Sequence, residues 1–452
     1  MLYNINDKMP LKRLITCALQ QVMACFVATV LIPQICNVPI APAMLGACVG
    51  TLIYQLCTRG QSPMFISSSG AFVAAVIGGI GLGGYPAVAI GGVIIALIYC
   101  GVGLLIKRSG TVWLDKLLPA VVIGPVVAVI GLNLATYIPT YFQVNGQYSL
   151  LGFGMGVLTM VIAAYISHYG KGFIRNLPFL VSMLIVYGLS CILTLCGIPL
   201  VNFTAFKNMQ IIQIPDFAFL HYDFANFNWG LLPQILLLFI PLSFVCIAEH
   251  ISDHKALSAV INTDLTHTPG LGSTLIGDGL ASAAGIFLSN IPNTSYGESV
   301  GTTGFSKVCS KYVITLAAII MGVASIFGPL QAILVSMPSF ILGGCAAILY
   351  GYITLSGIRT IKNQVDLEDN KNIIIVATVL TLGVSGAICD FGIVSIGTTA
   401  LAMLVGIMLN VILKDKIKPM RGLRAKAHPI DDYCEIPKDI VIKVTKQENK
   451  NV

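Results

Sequence analysis

Long apolar runs separated by short polar stretches dominate this chain. A helix needs about 20 mostly apolar residues to cross a bilayer, and this pattern predicts twelve ordinary membrane-spanning segments. They lie near residues 14–34, 41–57, 86–106, 117–135, 150–168, 177–197, 234–258, 272–288, 312–333, 335–357, 372–390 and 394–413.

Two further stretches are too polar or too short to be ordinary spans. They are SPMFISSSGAFVAAVIGGIG, residues 62–81, and IPNTSYGESVG, residues 291–301, with its continuation to Phe305. Including both gives fourteen crossings, seven on each side of the polar loop at 200–230, and the odd stretch is the third crossing of each half. We therefore predict an all-α polytopic membrane protein built as a 7+7 inverted repeat, a pattern typical of transporters.

The backbone of these two stretches is predicted to be broken. Serines precede Gly70, and Pro292 prevents a helix at its own position, so segments 3 and 10 each read as a short extended strand followed by a half-helix. Unpaired backbone groups cost several kcal/mol each in hydrocarbon, so such backbone must be buried in protein or line a cavity. Half-helix N-termini there would favour a small polar, planar or anionic solute.

Composition and charge support this topology. The chain is 56% hydrophobic and 10% charged, against about 25% charged residues in a soluble domain. With a cytoplasmic N-terminus and fourteen crossings, 25 of the 26 Lys and Arg residues fall in the cytoplasm, and only Lys207 lies outside. We expect a multi-pass protein of the cell (plasma or inner) membrane, in contact with lipid, with both termini cytoplasmic. The net charge of +7 reflects topology, and no nucleic-acid partner is expected.

Three carboxyl groups are predicted at membrane depth: Glu249, Asp278 and Glu298. Such groups are functional candidates by default, because a carboxylate accepts N–H donors when ionised and carries a proton when neutral. Asp278 lies between two glycines, which fits a helix cap as well as a ligand or coupling role. Asp253 fits a pocket role and an ion pair equally, and His250 is predicted to be a packed, hydrogen-bonded helix residue.

Other functional classes fit less well. The thirteen cysteines show no CxxC spacing and the six histidines are dispersed, so neither a disulfide framework, a metal site nor a cofactor is indicated. HExxH does not occur and the histidines are dispersed, which argues against an enzyme. An anion transporter of the sulfate or bicarbonate type would have a cationic or neutral site, and Glu249 and Glu298 argue against that. In a passive channel, the same carboxylates would trap the solute and prevent its passage.

The motifs of segments 8–10 resemble the nucleobase–ascorbate transporter family. They are AEH at 248–250 and GDGLASAAGIFLSNIPNTSYGESVG at 277–301, and the resemblance extends to ALQQVMACFVATVLIP in segment 1 and PMFISSSGAF in segment 3. Within the family, the sequence looks most like the bacterial uracil permeases. The resemblance implies proton-driven uptake of a nucleobase, with a homodimer as the family expectation.

The resemblance also implies a division into two domains. Core segments 1–4 and 8–11 would bind the substrate, and gate segments 5–7 and 12–14 would seal against them. The corresponding ranges are core 1–110 and 231–333, gate 111–230 and 334–413, and a basic cytoplasmic tail at 414–452.

Site residues follow from matched motif positions. Glu249 and Glu298 would bind the edge of the base, and backbone contacts would come from Gly297 and the segment-3 turn. The residues of that turn are Ser69, Gly70, Ala71 and Phe72. Proton coupling is expected at Glu249, Asp253 and Glu298, with supporting roles for Asp278, His250 and Tyr296.

Four departures from the family pattern bear on specificity. Gln20-Gln21 replaces the usual QH of segment 1, and Gly70 stands where uracil permeases have an aromatic ring that stacks on the base. Asp253 replaces a common His. The signature after Gly297 reads Glu298-Ser299-Val300-Gly301, with Ser306 in place of Thr. Uracil remains the preferred substrate because AEH and PNTSYGES are pyrimidine-type forms, and xanthine, uric acid or a modified pyrimidine is the alternative.

Overall fold

Helices make up most of the structure, a computed structural model that describes residues 2–111, 113, 119–144, 146–171, 174, 177–207, 209–221, 224, 226–386, 389–390 and 395–413. The predicted basic tail, 414–452, lies outside the described residues. The longer helices are α1 Leu11–Ile35, α2 Ile40–Cys57, α3 Val73–Ser109, α4 Ala120–Ala135, α5 Leu150–Tyr169, α6 Pro178–Leu195, α7 Leu232–Ile261, α8 Leu271–Phe287, α9 Gly297–Ser306, α10 Lys311–Ile326, α11 Gly328–Ser336, α12 Ser339–Gln364, α13 Asn370–Val384 and α14 Thr398–Ile412.

Short strands interrupt this helical array at three places. Strands β1 Ile66–Ser68 and β4 Asn293–Ser295 pair with each other although more than 200 residues separate them. The other two pairs are local hairpins, β2 Gln143–Val144 with β3 Gln147–Tyr148, and β5 Cys389–Asp390 with β6 Ser395–Ile396. Only the first pair joins distant parts of the chain, and it lies within the two stretches predicted to be extended.

Proline and polar caps determine where many helices begin. Proline has a fixed φ and lacks an N–H group, so it fits the residue just before a helix. Helices α1, α2, α4 and α12 follow Pro10, Pro39, Pro119 and Pro338. The side chains of Ser149 and Asp369 cap α5 and α13 by accepting hydrogen bonds from Gly152 N and Lys371 N.

Helix α3 is broken near its middle. Gly83 and Gly84 have non-helical backbone angles, and φ of Gly84 is +68°, a conformation that glycine adopts without a steric penalty. The break separates the odd stretch predicted at 62–81 from the ordinary span predicted at 86–106.

The apolar pattern predicted helix positions well. Eight described helices are long and apolar enough to cross a bilayer, and α10, α13 and α14 are shorter apolar helices. The segment predicted at 312–333 differs, because α10 ends at Ile326, Phe327 is extended and α11 begins at Gly328. Pro329 cannot donate to the preceding turn, which explains the interruption. The count of fourteen crossings stays a prediction.

The helices pack in two groups. In the first, α8 packs against α2 and α3, α7 packs against α3, and α10 packs against α1 and α2. In the second, α12 packs against α4 and α5, and α13 packs against α4 and α14. Residues of both groups line a large cavity, which therefore lies where the two groups meet.

Candidate functional site

The two broken segments meet as a pair of antiparallel strands. Ile66 faces Ser295, and Ser68 faces Asn293. Beyond the paired residues, Ser69 N donates to Pro292 O at 2.9 Å and Tyr296 N donates to Phe65 O at 3.2 Å. Each extended piece thus satisfies the backbone of the other, which allows both to lie inside the protein without helical hydrogen bonds.

Side chains from neighbouring helices hold this strand pair. The hydroxyl of Thr51 accepts from Ile66 N at 3.0 Å and donates to Ile66 O at 2.9 Å. Ser282 Oγ donates to Asn293 O at 2.8 Å, and Asn293 Nδ2 donates to Ala281 O at 3.0 Å. These bonds tie β1 to α2 and β4 to α8.

A second set of hydrogen bonds links the two strands to each other. Ser68 Oγ donates to Asn290 Oδ1, and Asn290 Nδ2 donates to Asn293 Oδ1, both at 2.8 Å. The hydroxyl of Tyr296 donates to Ser68 O at 2.7 Å. The predicted supporting residue Tyr296 therefore fixes the strand pair from the β4 side.

A short helix follows β4 and carries one of the predicted acids. Helix α9 begins at Gly297, directly after the extended residue Tyr296, and Glu298 lies in its first turn. No side chain caps this N-terminus. The start of a helix favours negative charge and presents N–H donors, so acidic and donor groups are adjacent here.

Glu249 and Glu298 face the same space. Both line a large cavity of about 670 Å³ and a small recess of about 70 Å³ beside it. Gly297, Leu349 and Ile353 also line both spaces. The ion pairs of the described residues involve neither glutamate. The carboxyl groups are thus available to accept hydrogen bonds from a solute in this cavity.

The small recess combines one polar wall with apolar walls. Glu249, the residues of β4 that precede α9, and the start of α9 form the polar wall. The apolar residues that line it are Ala28, Ile32, Ala71, Val127, Ile130, Leu349 and Ile353. A flat ring with hydrogen-bonding groups along one edge suits such a shape, because its faces need apolar contact and its edge needs polar partners.

Asp253 belongs to the cavity and not to an ion pair with Lys or Arg in the described chain. It lines the large cavity, and its Oδ2 accepts a hydrogen bond from Ser295 Oγ at 3.2 Å. Because Ser295 lies in β4, Asp253 is connected to the strand that precedes Gly297. Of the two roles that the sequence left open for Asp253, the geometry favours the pocket role.

His250 and Asp278 form a buried pair behind the cavity. His250 Nδ1 lies 2.8 Å from Asp278 Oδ2, and His250 Nε2 lies 2.9 Å from Thr274 Oγ1. Both side chains are fully buried. Asp278 is in the middle of α8, so the helix-start cap suggested by its flanking glycines is wrong. The prediction that His250 is packed and hydrogen-bonded is confirmed.

His254 continues the polar core one turn further along α7. Its Nδ1 donates to His250 O at 2.7 Å, and its Nε2 lies 2.6 Å from the hydroxyl of Tyr54 and 3.2 Å from that of Ser62. The rings of His254 and His250 stack with centroids 4.1 Å apart. This network joins α7 to α2 and to the residues before β1.

The predicted turn residues divide into two sets. Gly70 and Ala71 line the recess. Ser69 and Phe72 are buried away from it. Ser69 Oγ lies 3.6 Å from Cys246 Sγ, and the ring of Phe72 stacks on Phe239 with centroids 6.4 Å apart. Of the four turn residues, only Gly70 and Ala71 are therefore placed to contact a solute in the recess.

The apolar residues that line the site were not predicted from the sequence. Ile32, Val127, Leu349 and Ile353 lie on three different helices and come together only when the two helix groups pack. Their local sequence resembles that of lipid-facing residues, so no signal distinguished them. Within the described residues, no group of three or more His, Cys, Asp and Glu side chains could hold a metal ion.

The fold and site together define a polytopic membrane transporter with an acidic central cavity. A family model described as "Permease family" matches residues 12–390. The chain therefore belongs to this family of permeases, the nucleobase–ascorbate transporters, which agrees with the prediction of a transporter and not an enzyme.

Curated relatives are similar over nearly their whole length. The uracil permease of Bacillus caldolyticus is 34% identical over 93% of this chain and 96% of the relative. The uracil permease of Bacillus subtilis (strain 168) is 34% identical over 88% of this chain and 91% of the relative. The uracil permease of Escherichia coli (strain K12) is 32% identical over 91% of this chain and 93% of the relative.

Solved structures share the fold at low sequence identity. The transmembrane domain of the cyanobacterium bicarbonate transporter BicA has a TM-score of 0.62 at 13% identity, covering 91% of this chain and 100% of that one. SLC26A9 has a TM-score of 0.66 at 12% identity, covering 88% of this chain and 64% of that one. At these identities the likeness shows the fold alone.

Proposed function

We propose that this protein imports a nucleobase, with uracil as the preferred substrate, by proton-coupled alternating access. The observation that carries the proposal is that Glu249 and Glu298 line one recess whose other walls are largely apolar. The relatives named as uracil permeases support the choice of substrate.

Uracil matches the chemistry of this recess. Its ring is flat, and N–H and C=O groups alternate along its edge. Carboxylates accept the N–H groups, and the uncapped N-terminus of α9 offers N–H donors to the C=O groups. Hydrogen bonds to charged groups contribute about 1.5–3 kcal/mol each, so two such contacts would account for much of the selectivity for N–H-bearing rings.

Proton coupling is proposed for the same acids. Glu249, Asp253 and Glu298 line one cavity, and no ion pair in the described chain neutralises them. Three carboxylates close together repel one another when all are ionised, so uptake of a proton lowers that repulsion. A proton bound with the substrate would then be released when the site reaches the other side of the membrane.

Alternating access is proposed to follow the two helix groups. The group containing α1–α3 and α7–α10 carries the acids, and the group containing α4–α6 and α12–α14 covers them. We propose that these two groups act as the core and the gate expected from the sequence. Lys255 and Arg359, both predicted to be cytoplasmic, line the large cavity. We therefore infer that the cavity is open toward the cytoplasm in this arrangement.

Uptake of labelled uracil into cells or vesicles, with and without a proton gradient, tests the proposal. Uptake should depend on the gradient, and Glu298→Gln should abolish it while the protein remains folded in the membrane. Glu368→Gln is the matched control, because Glu368 is an exposed acid in the loop after α12. Normal uptake by Glu298→Gln would refute the assignment of the site.

Xanthine in the same assay tests the second candidate, a purine or modified-pyrimidine substrate. Gly70 favours it, since a glycine leaves the recess without the stacking ring expected of uracil permeases. Gradient-driven uptake of xanthine in preference to uracil would select this alternative. Uptake of bicarbonate or sulfate with neither base transported would select an anion transporter of related fold.

A further inference from the structure

Gly70 and an isoleucine from the opposite helix group meet at the recess. A Cβ atom added at Gly70 would lie 3.5 Å from Ile353 Cδ1 and 3.7 Å from Ile32 Cδ1. These are ordinary van der Waals distances, so an alanine would fit, whereas a larger side chain would have to displace Ile353 or fill the recess. Both Gly70 and Ile353 line the recess.

Ile353 therefore borders the space that an aromatic ring at position 70 would need. Of the described residues that line the recess, Tyr296 is the only aromatic one, and its hydroxyl is engaged by Ser68 O. Apart from the polar wall with Glu249 and Glu298, the other lining residues are aliphatic or small. Apart from Tyr296, apolar contact with the face of a bound ring comes from aliphatic side chains, and Ile353 is placed to supply it from α12.

We propose that Ile353 is a specificity-determining residue, which limits the size of the transported ring from the side opposite Gly70. This inference rests on the proposed function and refines it. Ile353 lies on α12, which packs with α4 and α5, while Gly70 precedes α3 in the other group. Residues of both helix groups therefore set the size limit, which exists only while the two groups are in contact. A ring that is too large would keep the two groups apart.

The expected effect of shortening Ile353 is a change in selectivity. A single methylene in an apolar pocket changes discrimination by about 10–200-fold, and Ile353→Ala removes three carbon atoms. Ile353→Ala should therefore raise the affinity for xanthine relative to uracil at least about tenfold. Ile353→Phe should lower the same ratio, because it narrows the recess.

A reciprocal exchange separates this role from general packing. Gly70→Phe alone should lose binding of uracil, because the new ring collides with Ile353. Adding Ile353→Ala should restore uracil binding and give a recess selective for pyrimidines. A merely structural role for Ile353 would predict that the double variant is worse than either single variant.

The experiment measures equilibrium binding of labelled uracil and xanthine to the purified full chain in detergent, together with KM and maximal rate of uptake. Ile358→Ala is the matched control, since Ile358 is an exposed isoleucine on the same helix that does not line the recess. Ile374→Ala is a second control, since Ile374 is an exposed isoleucine on α13 that lines neither space. Elution of each variant as a single species in size-exclusion chromatography shows that it is folded.

The outcomes distinguish the inference from the proposed function. A changed xanthine-to-uracil ratio in Ile353→Ala but in neither control, with rescue in the double variant, supports the inference. An unchanged ratio in Ile353→Ala, in a wild type that binds uracil, overturns the inference and leaves the proposed function intact. A wild type that binds neither base overturns both.

Discussion

His250 Nδ1 and Asp278 Oδ2 lie 2.8 Å apart, and one proton lies between them. The hydroxyl of Thr274 donates to Leu271 O at 3.0 Å, so its oxygen accepts from His250 Nε2–H at 2.9 Å. With Nε2 occupied as a donor, the shared proton is carried either by Nδ1 or by the carboxyl group. The pair is neutral overall in both cases, which suits its full burial.

Substitutions at Asp278 should show how much its hydrogen bond to His250 contributes to stability. An amide N–H can donate to Nδ1, so Asp278→Asn should retain most of the stability. Asp278→Ala leaves His250 without its partner, and breaking a buried pair costs about 3–5 kcal/mol. Thermal unfolding in detergent measures both variants. Equal losses of stability in the Asn and Ala variants would contradict a stabilising role for this hydrogen bond.

Asp253 should be required for coupling more than for binding. It lines the cavity and accepts from Ser295, but the recess beside Glu249 and Glu298 does not include it. Asp253→Asn should therefore abolish accumulation of uracil above equilibrium, while exchange of internal for external uracil in proteoliposomes continues within about threefold of wild type.

The matched control for this prediction is Asp264→Asn. Asp264 is an exposed acid in the turn after α7, and the substitution should leave both accumulation and exchange unchanged. Accumulation at the wild-type level by Asp253→Asn would remove Asp253 from the coupling mechanism. Loss of both exchange and accumulation by Asp253→Asn would show that Asp253 binds the substrate instead.

Membrane topology can be tested at two loops. If both broken segments cross the membrane, five crossings separate the loop containing Lys207 from the loop between α12 and α13. Alkaline phosphatase fused at Lys207 should then be active outside, and a fusion at Asp366 should be inactive. If both fusions were active, or both inactive, an even number of crossings would separate the two loops, which would refute the inverted repeat.

The sequence predicted helix positions better than the composition of the site. Apolar runs had to match the thickness of a bilayer, so α5 at Leu150–Tyr169 was predicted at 150–168 within one residue. Pro292 and the serines before Gly70 indicated where helices break, and β4 and β1 lie there. These are local signals that need no knowledge of neighbouring helices.

The remaining features depend on contacts between distant parts of the chain. The apolar run at 312–333 concealed the break at Phe327, because hydropathy averages over the glycine and proline that follow it. The partner of Asp278 could not be predicted, since two glycines beside an acid fit a cap and a buried pair equally. Ile353 was indistinguishable from a lipid-facing residue until its helix was placed opposite Gly70.

Equilibrium binding of labelled uracil to the purified protein tests the central claim, that Glu249 and Glu298 hold one ring between them. Each hydrogen bond to a charged group is worth about 1.5–3 kcal/mol, so Glu249→Gln and Glu298→Gln should each weaken binding by about 10–100-fold. Glu368→Gln should bind as the wild type does. Wild-type affinity in either of the first two variants would contradict the claim.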